Sequence, residues 1–138
     1  MEEAFAASDT APNILCLGLG SPASSRDARA QLAFLLAACD DLSIATLVHS
    51  SQDRARVSVF DPVFSDKDLQ LLAQLRLIHL PENRQARYTL ESPTIVFMPH
   101  CDLKLYENLL RENWSSARMS NVLLIANRLS DYAERLRR

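Results

Sequence analysis

Four segments that follow apolar runs hold the residues with the clearest chemical potential. The first is Gly18-Leu19-Gly20-Ser21, which contains both glycines of the chain. A glycine between a strand and a helix allows positive φ and close approach of a ligand to the backbone, and the following helix N-terminus attracts phosphate or carboxylate. Ala23 stands where the dinucleotide fingerprint has its third glycine, an allowed variant. Gly-x-Gly also fits a tight turn that binds nothing, so both interpretations stay open.

Asp61 ends a second apolar run. In nucleotide-binding sheets an acid at this place bonds the ribose hydroxyls, usually roughly 20 residues after the glycines. The spacing here is about twice that value, which an intervening helix would explain. The favoured interpretation is an Asp61-Pro62 turn that stops the strand.

His100 and Cys101 follow another apolar run, and Asn127 follows the last one. Adjacent side chains in an extended segment point apart, so His100 and Cys101 do not form the nucleophile and base pair that a catalytic cysteine needs. A single His-Cys pair supplies at most two ligands, and the chain has no Cys-x-x-Cys or His-x-x-x-His, so we expect no metal site. The favoured interpretation is a structured turn in which His100 bonds the glycine segment or Asp102.

The elements that position these residues follow from hydrophobic patterning. The apolar run at 14–17 has no alternation, which is typical of a strand buried on both faces. Further largely apolar runs predict strands at 57–60, 77–80, 94–98 and 121–126. Helices are predicted from a Ser24 or Ser25 cap to about Cys39, over a short second stretch within 40–54, after a Ser65 cap, from Asp102 to Trp114, and over 129–136. Three large side chains are expected at buried or edge positions: His79, Tyr106 and Trp114.

Strands that alternate with helices predict a parallel sheet covered on both faces. The fold class is therefore α/β, with a three-layer, Rossmann-like, doubly wound and mainly parallel five-stranded sheet whose first strand is central. Ligands of such sheets bind beyond the carboxyl ends of the strands. The candidate ligand-binding residues at that edge are Gly18, Gly20, Ser21, Asp61, His100, Cys101 and Asn127.

Composition limits the class of protein. The chain has 138 residues, 48% apolar and 23% charged, with a net charge of −2, which predicts one globular domain over residues 13–138 after a disordered leader at 1–12. The charge balance argues against general nucleic-acid binding. No apolar run approaches the roughly 18 residues that a membrane helix needs, and the leader does not resemble a secretory signal. Three widely spaced cysteines favour reduced thiols in the cytoplasm or nucleus.

Blocks around these residues resemble the sensitivity-to-red-light-reduced family. The match covers roughly 13–132, and its most specific part is a Met-Pro-His-Cys signature joined to a tyrosine-containing helix. Arg128-Leu129 departs from the small residue and aromatic expected after Asn127. The blocks that carry the resemblance are Ile14–Ser21, Arg29–Ala33, Val59–Phe64, Phe97–Cys101, Leu105–Leu110, Asn113-Trp114, Val122–Asn127 and Ser130–Tyr132.

The resemblance implies a regulatory protein that acts through protein partners. Plant members of the family are linked to phytochrome signalling and the circadian clock, animal members to haem biosynthesis and rhythm, and fungal members to the cytoskeleton. The family supplies no established catalytic residues.

Two classes of function remain. The first is a non-catalytic regulator that holds a small ligand. The alternative is an enzyme that uses S-adenosylmethionine or another nucleotide-type cofactor. The sequence shows no evident general base, which favours the regulator. Haem ligated by His100 or Cys101 is less favoured, because the sequence shows no apolar slot for it.

Overall fold

A computed structural model of the chain describes residues 12–45, 57–99 and 101–126. Five strands form one sheet: β1 (Asn13–Leu17), β2 (Val57–Phe60), β3 (Ile78–His79), β4 (Thr94–Met98) and β5 (Val122–Ala126). The described helices are α1 (Arg26–Ala45), α2 (Asp66–Gln74), α3 (Leu103–Glu112) and α4 (Ser116–Met119). No helix in these ranges is long and apolar enough to cross a membrane.

The sheet is parallel throughout, in the order β3-β2-β1-β4-β5. The first strand is central, as predicted, and its Cys16 pairs with Val59 on one side and Phe97 on the other. The winding reverses between β1 and β4. This reversal makes the carboxyl ends of these two strands the topological switch point, where sheets of this kind bind ligands.

Two apolar layers cover the sheet and confirm the doubly wound α/β class. On one face Cys16 and the neighbouring strands pack with Leu35 of α1 and Leu72 of α2. On the other face the alternate residues of β1 pack with Tyr106 and Leu109 of α3. Because consecutive side chains of a strand point to opposite faces, a continuous apolar run is needed to fill both layers.

Residues 80–93, here called the crossover segment, carry the chain from β3 to β4 over the α3 face. The sequence predicts a loop here, and buried asparagines explain how a polar loop is held. Asn113 is fully buried; its Oδ1 accepts from the Leu90 amide at 2.8 Å and its Nδ2 donates to the Tyr88 carbonyl at 2.8 Å. Asn108 Nδ2 donates to the Gln85 carbonyl at 3.0 Å. These bonds supply the partners that buried backbone groups require.

Three expectations need correction. Helix α1 continues to Ala45 instead of ending near Cys39, because residues 26–45 contain no glycine or proline that would interrupt it. Trp114 is 75% exposed and does not join the core, since it lies beyond the last residue of α3. Strand β3 is reduced to Ile78–His79, both exposed at the sheet edge. Most of the expected leader, the later part of the second short helix and the helix expected over 129–136 lie outside the described residues.

Candidate functional site

The loop between β1 and α1, residues 18–25, needs both of its glycines for conformational reasons. Gly18 has φ +72° and Gly20 has φ +84°, in the region that side chains disfavour. A Cβ on Gly20 would lie 3.1 Å from the Cβ of Ala28 in α1. Ser25 caps α1, because its Oγ accepts from the Ala28 amide at 3.2 Å. We call residues 18–25 the glycine loop.

Asp61 meets the glycine loop at the carboxyl ends of β1 and β2. Its Oδ2 accepts from the Gly20 amide at 2.8 Å, and its Oδ1 accepts from the Val63 amide at 2.9 Å. The side chain is 8% exposed. The same carboxylate therefore forms the turn that stops β2 and tethers the loop after β1.

Asp68 lies next to the glycine loop, although the sequence interpretation placed it only at the start of a helix. It is fully buried, and it joins two segments distant in sequence. Its carboxylate accepts from Ser21 Oγ at 2.5 Å and from the Ala23 amide at 2.8 Å. It also accepts from the Ser65 amide at 2.8 Å and from Ser65 Oγ at 3.0 Å, completing a capping box at α2. The Ser-x-x-Asp spacing signals the cap, but it carries no sign of the contact with the glycine loop.

Hydrogen bonding decides the charge of Asp68. Burial by itself raises the pKa of this carboxyl, whereas the bonds from Ser21, Ser65 and Ala23 lower it, and the net pKa lies below the ordinary value. Asp68 is therefore a carboxylate at neutral pH, placed directly against the glycine loop.

Cys101 is held as a thiol. It is 3% exposed, and its Sγ donates to the Leu17 carbonyl at 3.4 Å. Burial, reinforced by the nearby Asp61 and Asp102 carboxylates, raises the pKa of this thiol to about 12. Burial likewise raises the pKa of Cys16. Since the thiolate is the reactive form, neither group is a nucleophile at neutral pH.

The helix of the signature block fixes the carboxyl end of β4. Tyr106 is buried, and its hydroxyl donates to the Met98 carbonyl at 2.5 Å. Asp102 occupies the N-cap position of α3, as predicted, but its side chain makes no capping hydrogen bond. The other two predicted site residues, His100 and Asn127, lie outside the described residues.

A cleft of about 380 Å³ opens at the carboxyl edge, on the α3 face of the sheet. We call it the carboxyl-edge cleft. Gly18 and Asp61 line it, so the structure brings two of the predicted residues to one cavity. The remaining lining residues are Leu17, Phe60, Pro62, Asn83, Gln85, Ala86, Tyr88, Asp102, Lys104, Leu105 and Asn108. Most of its wall comes from the crossover segment and α3, which the sequence interpretation did not connect with the site.

Two features of the crossover wall are unusual. Gln85 and Ala86 have φ of +53° and +66°, although neither is glycine. Such a conformation costs about 1–3 kcal/mol per residue and persists only where the surroundings enforce it. The Tyr88 hydroxyl is buried without a hydrogen-bond partner, and burial raises its pKa despite the opposing Arg84 guanidinium, 5.6 Å from the ring centroid.

The described residues contain no cluster of three or more histidine, cysteine or acidic side chains that would hold a metal ion.

The chain is similar to a known domain family and to three curated proteins. The model of the SRR1 domain matches residues 1–138. An SRR1-like protein of Mus musculus is 36% identical over 98% of the chain, and the Protein SENSITIVITY TO RED LIGHT REDUCED 1 of Arabidopsis thaliana is 36% identical over 94%. An SRR1-like protein of Drosophila melanogaster is 29% identical over 83%.

The chain spans about half the length of these curated relatives or less: 51%, 44% and 38% in the same order. No solved structure matches the chain. The resemblance inferred from the signature blocks is confirmed by the family model and by the named relatives. On these findings the chain belongs to the SRR1 domain family.

Proposed function

We propose that this chain is a non-catalytic regulatory module that binds a small organic ligand in the carboxyl-edge cleft and acts through protein partners. The observation that carries the proposal is the cleft itself, at the switch point of the sheet and lined by Gly18 and Asp61. Its volume of about 380 Å³ falls in the range of small-molecule sites.

The chemistry of the described edge supports binding rather than catalysis. A general base or nucleophile must be free to reach the substrate. Each oxygen of the Asp61 carboxylate accepts a backbone N–H, and the Cys101 thiol is protonated and bonded to a carbonyl. These groups hold the loop and the strand ends together.

The name of the Arabidopsis relative refers to red-light sensitivity, which fits a role in signalling. We infer that ligand occupancy of the cleft sets the affinity for a protein partner in the cytoplasm or nucleus. Light signalling, circadian rhythm and regulation of haem biosynthesis are the processes proposed for it.

A thermal-shift screen tests the ligand site. The purified chain is melted with S-adenosylmethionine, S-adenosylhomocysteine, NAD(P), ATP and haem, because binding to the native state raises the Tm by mass action. We expect at least one compound to raise the Tm. The Lys104→Trp variant should abolish the rise, because Lys104 lines the cleft from the first turn of α3.

The matched control is Lys67→Trp, at the equivalent second residue of α2 and outside the cleft lining. This variant should keep the ligand-induced rise. No rise with any compound in the folded protein, or a rise that survives Lys104→Trp, would contradict a ligand site in this cleft.

An enzyme with a nucleotide-type cofactor is the second candidate. The contact between Gly20 and Asp61 supports it, because it brings together the glycine loop and the acid found in nucleotide-binding sheets. S-adenosylmethionine is the cofactor proposed for this case. The test incubates S-adenosylmethionine with the protein in a cell extract that supplies a methyl acceptor. Mass-spectrometric detection of S-adenosylhomocysteine that depends on the protein would favour the enzyme over the regulator.

A further inference from the structure

Three donors of the glycine loop are already bonded to carboxylates. In phosphate-binding sheets, free N–H groups of this loop and the helix N-terminus take the anion. Here the Gly20 amide donates to Asp61, while the Ala23 amide and Ser21 Oγ donate to Asp68. A phosphate at the loop would have to displace a carboxylate from each of these donors.

The charges around the loop act in the same direction. Asp68 is a buried carboxylate at neutral pH, Asp61 lines the cleft next to the loop, and Asp102 adds a third acid at the start of α3. The one cation in the described lining is Lys104, whose exposed side chain lies 3.5 Å from Glu107. Arg84, which lies over the Tyr88 ring beside the lining, is offset by Glu82 at 3.6 Å. Like charges brought together in a partly desolvated site oppose binding.

Asp61 and Asp102, the two acids that line the cleft, are good acceptors. Each carboxylate offers about four lone-pair sites, and Asp61 uses two of them for Gly20 and Val63. The aromatic side chains Phe60 and Tyr88 supply apolar surface beside them. A ligand that fits this wall brings hydrogen-bond donors and an apolar body.

We propose that the carboxyl-edge cleft selects a small organic molecule that presents donors, as hydroxyl groups or a protonated amine, and places no phosphate on the glycine loop. This inference rests on the proposed function, because it names the ligand class of the same cleft. It separates the nucleotide-type candidates into nucleosides and sulfonium or amine compounds, which the site accepts, and phosphate-bearing compounds, which it rejects.

The test centres on adenosine, AMP and ADP, which differ only in phosphate. Adenosine, AMP and ADP, together with S-adenosylmethionine and pyrophosphate, are titrated into the ¹⁵N-labelled chain while amide resonances are followed. Adenosine and S-adenosylmethionine should shift the amides of Gly18, Tyr88 and Lys104. AMP and ADP should bind at least about tenfold more weakly than adenosine, the ratio that 1.4 kcal/mol of repulsion produces, and pyrophosphate should not shift Gly20 or Ala23.

A variant that lacks one acid of the cleft tests whether charge causes the preference for adenosine over AMP. Asp102→Asn removes one acid without removing a capping hydrogen bond, so the preference for adenosine over AMP should fall by severalfold. Asp66→Asn, which removes an exposed acid from the first turn of α2, should leave that preference unchanged.

The outcomes separate the two proposals. Binding of AMP or ADP as tight as that of adenosine, with shifts at the Gly20 and Ala23 amides, would overturn the ligand class while leaving a ligand site in place. The absence of any shift at the cleft with all five probes would overturn the proposed function itself, and the ligand class with it.

Discussion

Replacement of Asp68 by asparagine should be the most destabilising single-atom change at this edge. The carboxylate accepts four hydrogen bonds in a fully buried position. An amide keeps one oxygen and turns its NH₂ group toward a donor. If the oxygen serves Ser21 and Ser65, the Ala23 N–H loses its acceptor.

The magnitude follows from these bonds. Ala23 is exposed, so its freed N–H can turn to water and costs no more than about 1 kcal/mol, while each of the three remaining bonds weakens from charge-assisted to neutral, a loss of about 0.5–1.5 kcal/mol. We expect the free energy of unfolding to fall by roughly 3 kcal/mol and the Tm to fall by about 10 °C in a chain of this length. Urea denaturation followed by circular dichroism measures the first quantity, and calorimetry measures the second.

The effect should depend on pH with a defined sign. The folded-state pKa of Asp68 is lowered relative to the unfolded chain, so its contribution is present above the unfolded pKa, near 3.9, and is lost as the pH falls through the folded pKa. The stability difference between wild type and Asp68→Asn should therefore shrink below about pH 4. Asp66→Asn, an exposed acid in the same helical turn, should cost no more than about 1 kcal/mol. A loss for Asp68→Asn that equals the control, or that stays constant with pH, would refute this account of the edge.

Three further outcomes test the rest of the structure. Tyr88→Phe removes a buried hydroxyl that has no partner, so urea denaturation should show stability unchanged or raised by about 1 kcal/mol; a loss above that size would mean that the hydroxyl is bonded. Asn113→Ala removes three side-chain hydrogen bonds, two of them to the crossover segment, and should cost about 2–4 kcal/mol in the same assay, whereas a cost near zero would show that the segment is held by other contacts. Cys16 and Cys101 should resist iodoacetamide at pH 7.5 in the folded chain and react on unfolding, as mass spectrometry of the alkylated protein would show; rapid alkylation of either in the native state would contradict their burial as thiols.

The sheet could be predicted from the sequence because its strands are short, largely apolar runs. The central place of β1 follows from the doubly wound topology. Because the carboxyl ends of parallel strands share one edge, Gly20 and Asp61 were predicted at the same edge, but not their hydrogen bond. The end of α1 could not be predicted, because the apolar spacing within 40–54 also fits a separate short helix, whereas no glycine or proline interrupts α1 before Ala45.

The residues of the cleft wall could not be predicted from the sequence, for a different reason. Asp68 reaches Ser21 across 47 positions, and no local pattern encodes a contact of that span. Gln85 and Ala86 adopt positive φ without being glycine, so the usual signal of such a turn is missing. Asn113 was noted only as part of a family block. Its hydrogen bonds to the crossover segment could not be predicted, because a single asparagine is compatible with many environments.

The central position of the first strand also governs how the chain is made. Asn13 of β1 pairs with Thr94 of β4, so one side of the central strand has no partner until 81 further residues have been synthesised. At about 5–20 residues per second this delay lasts roughly 4–16 s. During that interval β1 can pair only with β2, so one edge of an apolar strand stays open, and non-local parallel pairing is slow in itself. We expect chaperones that shield β1 during translation to raise the yield of the folded chain.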